Sequence, residues 1–241
     1  TGKRVAVACA ERMKPCVIEA GGSDAMIISE HAPLDVAVPG AVTAAFHLSG
    51  QICTSSERVF VHEAVHDVFV ERFAAQAQRL RIGPGLERSE IGPLVSEAAR
   101  DKVMRLVAQA LEAGATLVCG GRVPPAFDTG WFYEPTILTD VTAAMDIMRE
   151  ETFGPVAAVC KVASFEEALA LANGSEFGLG ACVFTTRMDE AVRAYDALQA
   201  GMVWINNPLI DNEAVPFGGW KMSGFGRELG RLGLDAFRQS K

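Results

Sequence analysis

RVFVHEAVHDVFVERF, residues 58–73, decides how the chain is read. Val59, Phe60 and Val61 are β-branched or aromatic, so residues 58–61 predict a buried strand. Val65, Val68, Phe69 and Phe73 then recur at helical spacing and predict a helix directly after it. The same residues contain His62-Glu63-Ala64-Val65-His66, the pattern by which one helix face offers two imidazoles to zinc and a carboxylate to a water. The two readings compete. A zinc hydrolase needs both histidines inside one helix, whereas a strand ending at Val61 leaves His62 in the connection. It also needs a third protein ligand; no histidine follows His66, and nothing singles out a distant glutamate. The expectation is a strand-to-helix connection with no metal, a zinc hydrolase being the alternative.

Working outward, helix and strand patterns alternate along the chain, which predicts an α/β fold: a mostly parallel twisted sheet covered by helices on both faces. Lys3 to Met13 reads as a helix stopped by Pro15, CVIEAGG (16–22) as a short strand entering a glycine turn, and DAMIIS (24–29) as the next strand. Leu34 to about Ser49 suits a buried helix, with Pro39 tolerable only near its first turn. A second amphipathic helix runs from about Ser96 to Ala113 and ends at Gly114. TLVCGG, WFYEPTIL, VAAVCKV, ACVFTT and GMVWIN supply further strands. Ser164 and Glu167 stand at capping-box spacing before another helix.

Composition narrows the function. The chain has 241 residues, 49% hydrophobic and 22% charged, enough for a sizeable core. A formal net charge of -8 with no basic run disfavours nucleic acid and anionic membrane as partners. Residues 36–56 carry no Asp, Glu, Lys or Arg, yet Pro39, His47, Gln51 and several small polar residues suit a buried helix better than a spanning one. Six cysteines lie far apart without CxxC pairs, and no secretory signal precedes them. Reduced thiols in a cytoplasmic setting are expected.

Cys53, in SGQICTSSERVFV (49–61), sits among Gly, Gln, Thr and Ser in a loop after the buried helix. Alone it could be a small buried hydrophobe. Its company along the chain changes that reading: Glu19 before two glycines in VIEAGGSDAMII, Glu151 and Phe153 before a Gly-Pro turn in REETFGPV, and the closing PFGGWKMSGFGRELG. Within the last stretch SGFGRELG (223–230) imitates a dinucleotide turn, but GGWKM rather than an apolar strand precedes it.

These segments resemble, in order and spacing, motifs of the aldehyde dehydrogenase superfamily. EAGG resembles the family's Glu-Leu-Gly-Gly with Ala20 in place of leucine, GQICTSSERVFV the cysteine segment, EETFGPV the cofactor-ribose segment and PFGGWKMSGFGRELG the closing segment. The lactaldehyde and semialdehyde dehydrogenases are nearest in feel. The resemblance implies an enzyme that oxidises a small-molecule aldehyde to the acid with NAD or NADP, through a thiohemiacetal and a thioester on Cys53. It implies Glu19 as the base for hydrolytic water and Glu228 near the water and proton path. Glu151 would bind the nicotinamide-side ribose and Phe153 lie beside the nicotinamide, with Gly21, Gly22 and Gly2 along the cofactor. Ile52, Thr54, Trp204 and Phe217 would line the substrate pocket, while Asn206 would support the cysteine loop.

Family proteins are about twice as long. Residues 1–22 are therefore expected to be a remnant of a Rossmann-like NAD(P)-binding domain and 23–222 the catalytic domain. Residues 223–241 would return toward the cofactor domain without the last oligomerisation strand. A fragment of a homodimeric or homotetrameric parent is the expectation, poorly active by itself; a non-catalytic module of the same fold, or a cysteine esterase, are the other readings.

Overall fold

The computed structural model describes residues 1–239. Its frame is a seven-stranded sheet that begins with β2 (Ala25–Ile28), β3 (Arg58–His62) and the segments that follow them; β1 (Ile18–Glu19) lies outside it. The other sheet strands are β4 (Thr116–Cys119), β5 (Thr136–Thr139), β6 (Val156–Val162), β8 (Gly180–Phe184) and β9 (Met202–Ile205). Their order is β4-β5-β6-β3-β2-β8-β9, and only the edge pair β4–β5 is antiparallel. A parallel sheet must be covered on both faces, and alternation along each strand meets that need. Ala25, Ile27 and Phe60 face α4 (Glu97–Glu112), α5 (Phe165–Asn173) and α6 (Met188–Ala197). Met26, Ile28, Val59 and Val61 face α2 (Leu34–Phe46) and α3 (Glu63–Ala77). The two core layers are therefore written in odd and even positions of the same strands.

Local chemistry sets the boundaries. Ser96 caps α4 by accepting the Ala99 N–H, and Gly114 leaves the helix at φ 103°. Ser164 Oγ accepts the Glu167 N–H at 3.2 Å, while the Glu167 carboxylate reaches back to the Ala163 N–H at 2.7 Å, one residue earlier than a capping box requires. At residues 58–73 the strand passes straight into the helix. His62 ends β3 and caps α3, its Nδ1 accepting the Ala64 N–H at 3.2 Å. His66 is buried in α3 with Nδ1 against Asp67 Oδ1 at 2.7 Å. The two imidazoles thus belong to different elements and serve local bonds.

Four details depart from the sequence expectations. The first helix, α1, is Gly2–Ala10 rather than 3–13, because Met13 turns left-handed at φ 51° and the Lys14 N–H closes on the Cys9 carbonyl. Pro39 lies in the second turn of α2, where it is exposed and the missing N–H faces outward. Val68 is 51% exposed, whereas Phe69 and Phe73 are fully buried. WFYEPTIL is strand only over Thr136–Thr139, since Pro135 cannot join a ladder as donor.

Two short pairs finish the fold around the sheet's N-terminal end. β7 (Phe177–Gly178) pairs with β10 (Trp220–Lys221), and β1 pairs with β11 (Gly224–Phe225), ahead of α7 (Gly230–Ala236). The closing segment is thereby brought onto the strand that carries Glu19. No helix among the described residues is long and apolar enough to cross a membrane, and all six cysteines are free.

The contact between α2 and α3 is aromatic: Phe73 stacks on Phe46 at 5.6 Å and touches Phe69 at 5.4 Å. Phe73→Ala should cost about 3–5 kcal/mol, measured as a lower midpoint in urea unfolding. A loss below about 1 kcal/mol would show that this stack does not hold the two helices.

Candidate active site

The site is assembled at the N-terminal ends of the central parallel strands. Beyond α2 the chain takes three successive left-handed residues, Leu48 (φ 49°), Ser49 (φ 60°) and Gly50 (φ 70°). Gly50 is required twice over: a Cβ there would lie 2.0 Å from the Gly154 carbonyl oxygen. The following turn is fixed by side chains. Gln51 Oε1 accepts the Val95 N–H at 2.8 Å and its Nε2 donates to Leu48 and Pro93 carbonyls, while Ser55 Oγ donates to the Ala44 carbonyl at 3.2 Å. Cys53 stands half-buried in this turn. Its N–H donates to no protein carbonyl among the described residues.

EAGG passes directly behind the thiol. A Cβ on Gly22 would lie 2.4 Å from the Cys53 carbonyl oxygen, so no larger residue fits this crossing. Ser223 clamps the strand by accepting the Ala20 N–H through its carbonyl at 3.0 Å and donating its hydroxyl to the Gly21 carbonyl at 2.9 Å. This brings the Glu19 carboxylate close enough to the Cys53 thiol for each to shift the other's titration. Glu228 is tied to Phe217 by two backbone bonds of 2.7 Å, and its charge reaches Glu19.

Glu151 approaches from the loop before β6. Its Oε1 accepts the Gly22 N–H at 3.1 Å, and a Cβ on Gly21 would fall 2.2 Å from the same oxygen. Phe153 is left-handed at φ 52° and half-buried. Thus Cys53, Glu19, Glu151, Gly21 and Gly22 converge, with Glu228 beside them.

The other expected residues divide. Ile52 adjoins Cys53 in the turn and is half-buried, whereas Thr54 is buried and turned into the protein. Trp204 is buried in the apolar layer with Ala41 and Ala44, over Gly180, and its indole N–H donates to the Ile210 carbonyl at 3.0 Å. It anchors the segment 206–216 from below. Asn206 is not at the cysteine loop: its Oδ1 accepts the Thr185 N–H at 2.9 Å and its Nδ2 donates to the Thr185 carbonyl at 2.8 Å, at the C-terminal end of β8 and β9. The parallel direction of these strands puts that end opposite Cys53. Gly2 opens α1 beside Ile18, in a helix with no buried residue.

Electrostatics follow from burial. Desolvation, then the charge of Glu19 and its hydrogen bond, push the Cys53 thiol up to about 12. Glu19 is itself raised by desolvation and by Glu228 and Glu151, against the lowering bond from Cys53. Glu151 is raised by desolvation, opposed by the Gly22 N–H.

Charged residues beneath the site escaped the sequence reading. Asp24 and Glu57 are each 2% exposed and Arg58 4%. Arg58 Nε donates to the Ser23 carbonyl at 2.8 Å, and Asp24 Oδ1 accepts the Gly180 N–H at 2.9 Å. Burial lifts Asp24 to about 8 and Glu57 to about 7, and lowers Arg58 to about 10. The available signal was positional: each charge immediately precedes or opens an apolar strand run, SDAMII or SERVFV.

The whole of residues 1–241 matches the family model described as Aldehyde dehydrogenase family. The chain is 42% identical over 241 residues to a protein named succinate-semialdehyde dehydrogenase (NADP(+)) from Mycobacterium avium, covering all of this chain and 51% of that one. It is 42% identical over 244 residues to the betaine aldehyde dehydrogenase of Brucella melitensis, covering 50% of it. Lactaldehyde dehydrogenase from Escherichia coli superposes with a TM-score of 0.96 at 34% identity, over 100% of this chain and 50% of that one. The chain spans about half the length of the curated relatives it matches. Matched from end to end, it belongs to the aldehyde dehydrogenase family.

Proposed function

We propose that this chain carries the nucleophile and the base of an NAD(P)-dependent dehydrogenase that oxidises a small-molecule aldehyde to a carboxylic acid. The observation that carries the reading is the Cys53 thiol and the Glu19 carboxylate standing close enough to shift one another, where Gly22 crosses behind the cysteine turn and the Cys53 N–H donates to no protein carbonyl among the described residues. An aldehyde carbon has no electron pair with which to expel its hydrogen, so a nucleophile must add first. Cys53 loses its thiol proton to solvent, its sulfur adds to the carbonyl, and its N–H donates to the oxyanion of the thiohemiacetal. The oxidised adduct is a Cys53 thioester. Glu19, raised above the ordinary carboxylate range by its partial burial, takes a proton from the water that cleaves it; Glu228, whose charge acts on Glu19, would pass that proton on.

The residues fit the nicotinamide end of a dinucleotide. Glu151 is an acceptor-only carboxylate aimed at a glycine pair, an acceptor set complementary to the O–H donors of a ribose. Phe153 would flank the ring, and Gly2 would lie farther along the same ligand. When bound, the nicotinamide supplies the hydride acceptor. Relatives carry both NAD+ and NADP(+) in their names or titles, and both cofactors belong to the proposal. Ile52, Phe217 and the segment 206–216 would shape the aldehyde pocket. The relatives' names span succinate semialdehyde, betaine aldehyde and lactaldehyde.

The same reading divides the chain into 1–22 of a cofactor domain, 23–222 of a catalytic domain and 223–241 returning toward the first; residues 240 and 241 lie outside the described residues. The β1–β11 pair supports it, since it joins Ile18 to Phe225 apart from the main sheet. A homodimeric or homotetrameric parent in the cytoplasm completes the reading, the free thiols being compatible with a reducing compartment.

In the full-length parent, Cys53→Ala should lower aldehyde oxidation by about 10,000-fold or more, assayed by cofactor reduction; wild-type turnover would end the proposal. Glu19→Gln should slow steady-state turnover by about 100- to 10,000-fold while leaving a burst near one reduced cofactor per site. A loss of the burst in equal measure would place Glu19 before the thioester. Because the Glu19 charge adds to desolvation in raising the Cys53 thiol, Glu19→Gln should also speed iodoacetamide labelling of Cys53 at pH 8 by about 3- to 10-fold. Slower labelling would identify Glu19 as the base of the thiol itself.

A further inference from the structure

Glu57 lies four residues beyond Cys53 and is 2% exposed. Its two carboxylate oxygens accept successive backbone N–H groups of a distant loop, Thr152 at 2.7 Å to Oε2 and Phe153 at 2.6 Å to Oε1. Two adjacent amides turned toward one anion form a backbone nest, and here the anion is a side chain rather than a ligand. The nest requires the left-handed φ of 52° at Phe153, a conformation a phenylalanine does not prefer. The carboxylate is thus the partner that holds the turn in its less favoured shape.

The turn it holds carries Glu151 immediately before and the Gly154 carbonyl immediately after. Glu151 reaches the Gly22 N–H, and Gly154 presses on Gly50 at the root of the cysteine turn. Glu57 itself continues from that turn into β3, beside Arg58. A single carboxylate therefore fixes the distance between the segment bearing the nucleophile and the segment bearing the ribose-binding candidate. Peptide packing alone would not need both oxygens committed to consecutive amides.

We propose that Glu57 is a positioning residue for the dinucleotide: it holds the Thr152–Phe153 turn so that Glu151 and Phe153 face the nicotinamide-ribose end. The inference rests on the dehydrogenase reading above, and it concerns cofactor affinity rather than thiol chemistry. An amide in place of the carboxylate keeps one acceptor but sets an NH2 group against a backbone N–H. The turn then loses its shape on one side only. Removing the whole group frees both amides.

The test uses the full-length parent, with NAD+ and NADP+ as probes titrated by fluorescence quenching in the absence of aldehyde. For the better-bound nucleotide, Glu57→Gln should raise the Kd about 10-fold or more and Glu57→Ala further. Iodoacetamide labelling of Cys53 in the cofactor-free enzyme should change by a smaller factor than the Kd does, because Glu57 bonds the Thr152 and Phe153 amides and makes no bond to Cys53. If Glu57→Gln does not accumulate, Glu57→Asp keeps the charge but is one methylene too short to reach both amides, and should raise the Kd likewise. Phe73→Ala serves as the control, because Phe73 packs on Phe46 and Phe69 and makes no bond to the Thr152 or Phe153 amides, and it should lower the melting temperature without raising the Kd. A Glu57 variant whose Kd matches wild type while only its melting temperature falls overturns the proposal. So does a Kd that rises equally in Phe73→Ala. The binding readout does not need Cys53, so an active Cys53→Ala parent would defeat the dehydrogenase mechanism and leave this measurement interpretable.

Discussion

Four neighbouring strands start level with one another, and the site depends on that register. Ala25 pairs with Arg58 and with Ala181, and Arg58 pairs with Ala158, all in parallel. Parallel strands in register deliver their incoming loops to one end of the sheet. The segments before β2, β3, β6 and β8 therefore meet there, bringing EAGG, the cysteine turn, EETFGP and the approach to Gly180 into one place. A slip of one residue in any pair would turn its apolar side chains to the opposite core layer, so burial of the cores and alignment of the loops are the same constraint. The chemistry is held by hydrocarbon that never touches it.

The loops then cross closely enough to exclude side chains. Gly22 runs behind the Cys53 carbonyl and Gly50 behind the Gly154 carbonyl, each at a separation that a Cβ would violate. Beneath these crossings the protein buries Asp24, Glu57 and Arg58, which is expensive unless each is bonded. Arg58 bonds the Ser23 and Ala172 carbonyls, Asp24 the Gly180 amide, and Glu57 the Thr152 and Phe153 amides. Each charged group thus terminates a loop's backbone valences where no strand ladder can. The interior charges act as fasteners between segments remote in sequence.

Most of the fold was legible because strand and helix periods are local. RVFV and the helix after it, the capped helices at Ser96 and Ser164, and the alternating plan all follow from residues within a few positions of one another. The motif residues Cys53, Glu19 and Glu151 were legible through a pattern, and the structure brings these three together. What was not legible depends on direction and depth. Asn206 follows an apolar strand like many site residues, but which end of the sheet it occupies is set by strand polarity, and it serves Thr185 instead. Thr54 and Trp204 stand beside site residues in sequence while pointing into the core. Val68 fits a helical stripe yet lies outside the angle that Phe69 and Phe73 bury. Glu57 and Asp24 carry no local sign of a partner because the amides they bond are more than ninety residues away in one case and more than one hundred and fifty in the other.

The segment 206–216 contrasts with this fastened interior. The Trp204 indole holds it at Ile210, and the Gly230 N–H holds it at the Glu213 carbonyl, while Asp211 to Val215 are exposed. Residues bathed in solvent between a few tethers tolerate replacement at little cost to folding. Mutational drift can therefore explore this strip while the scaffold below stays constant. Under the proposed reading, diversification of aldehyde preference within one lineage would proceed by rewriting this strip alone.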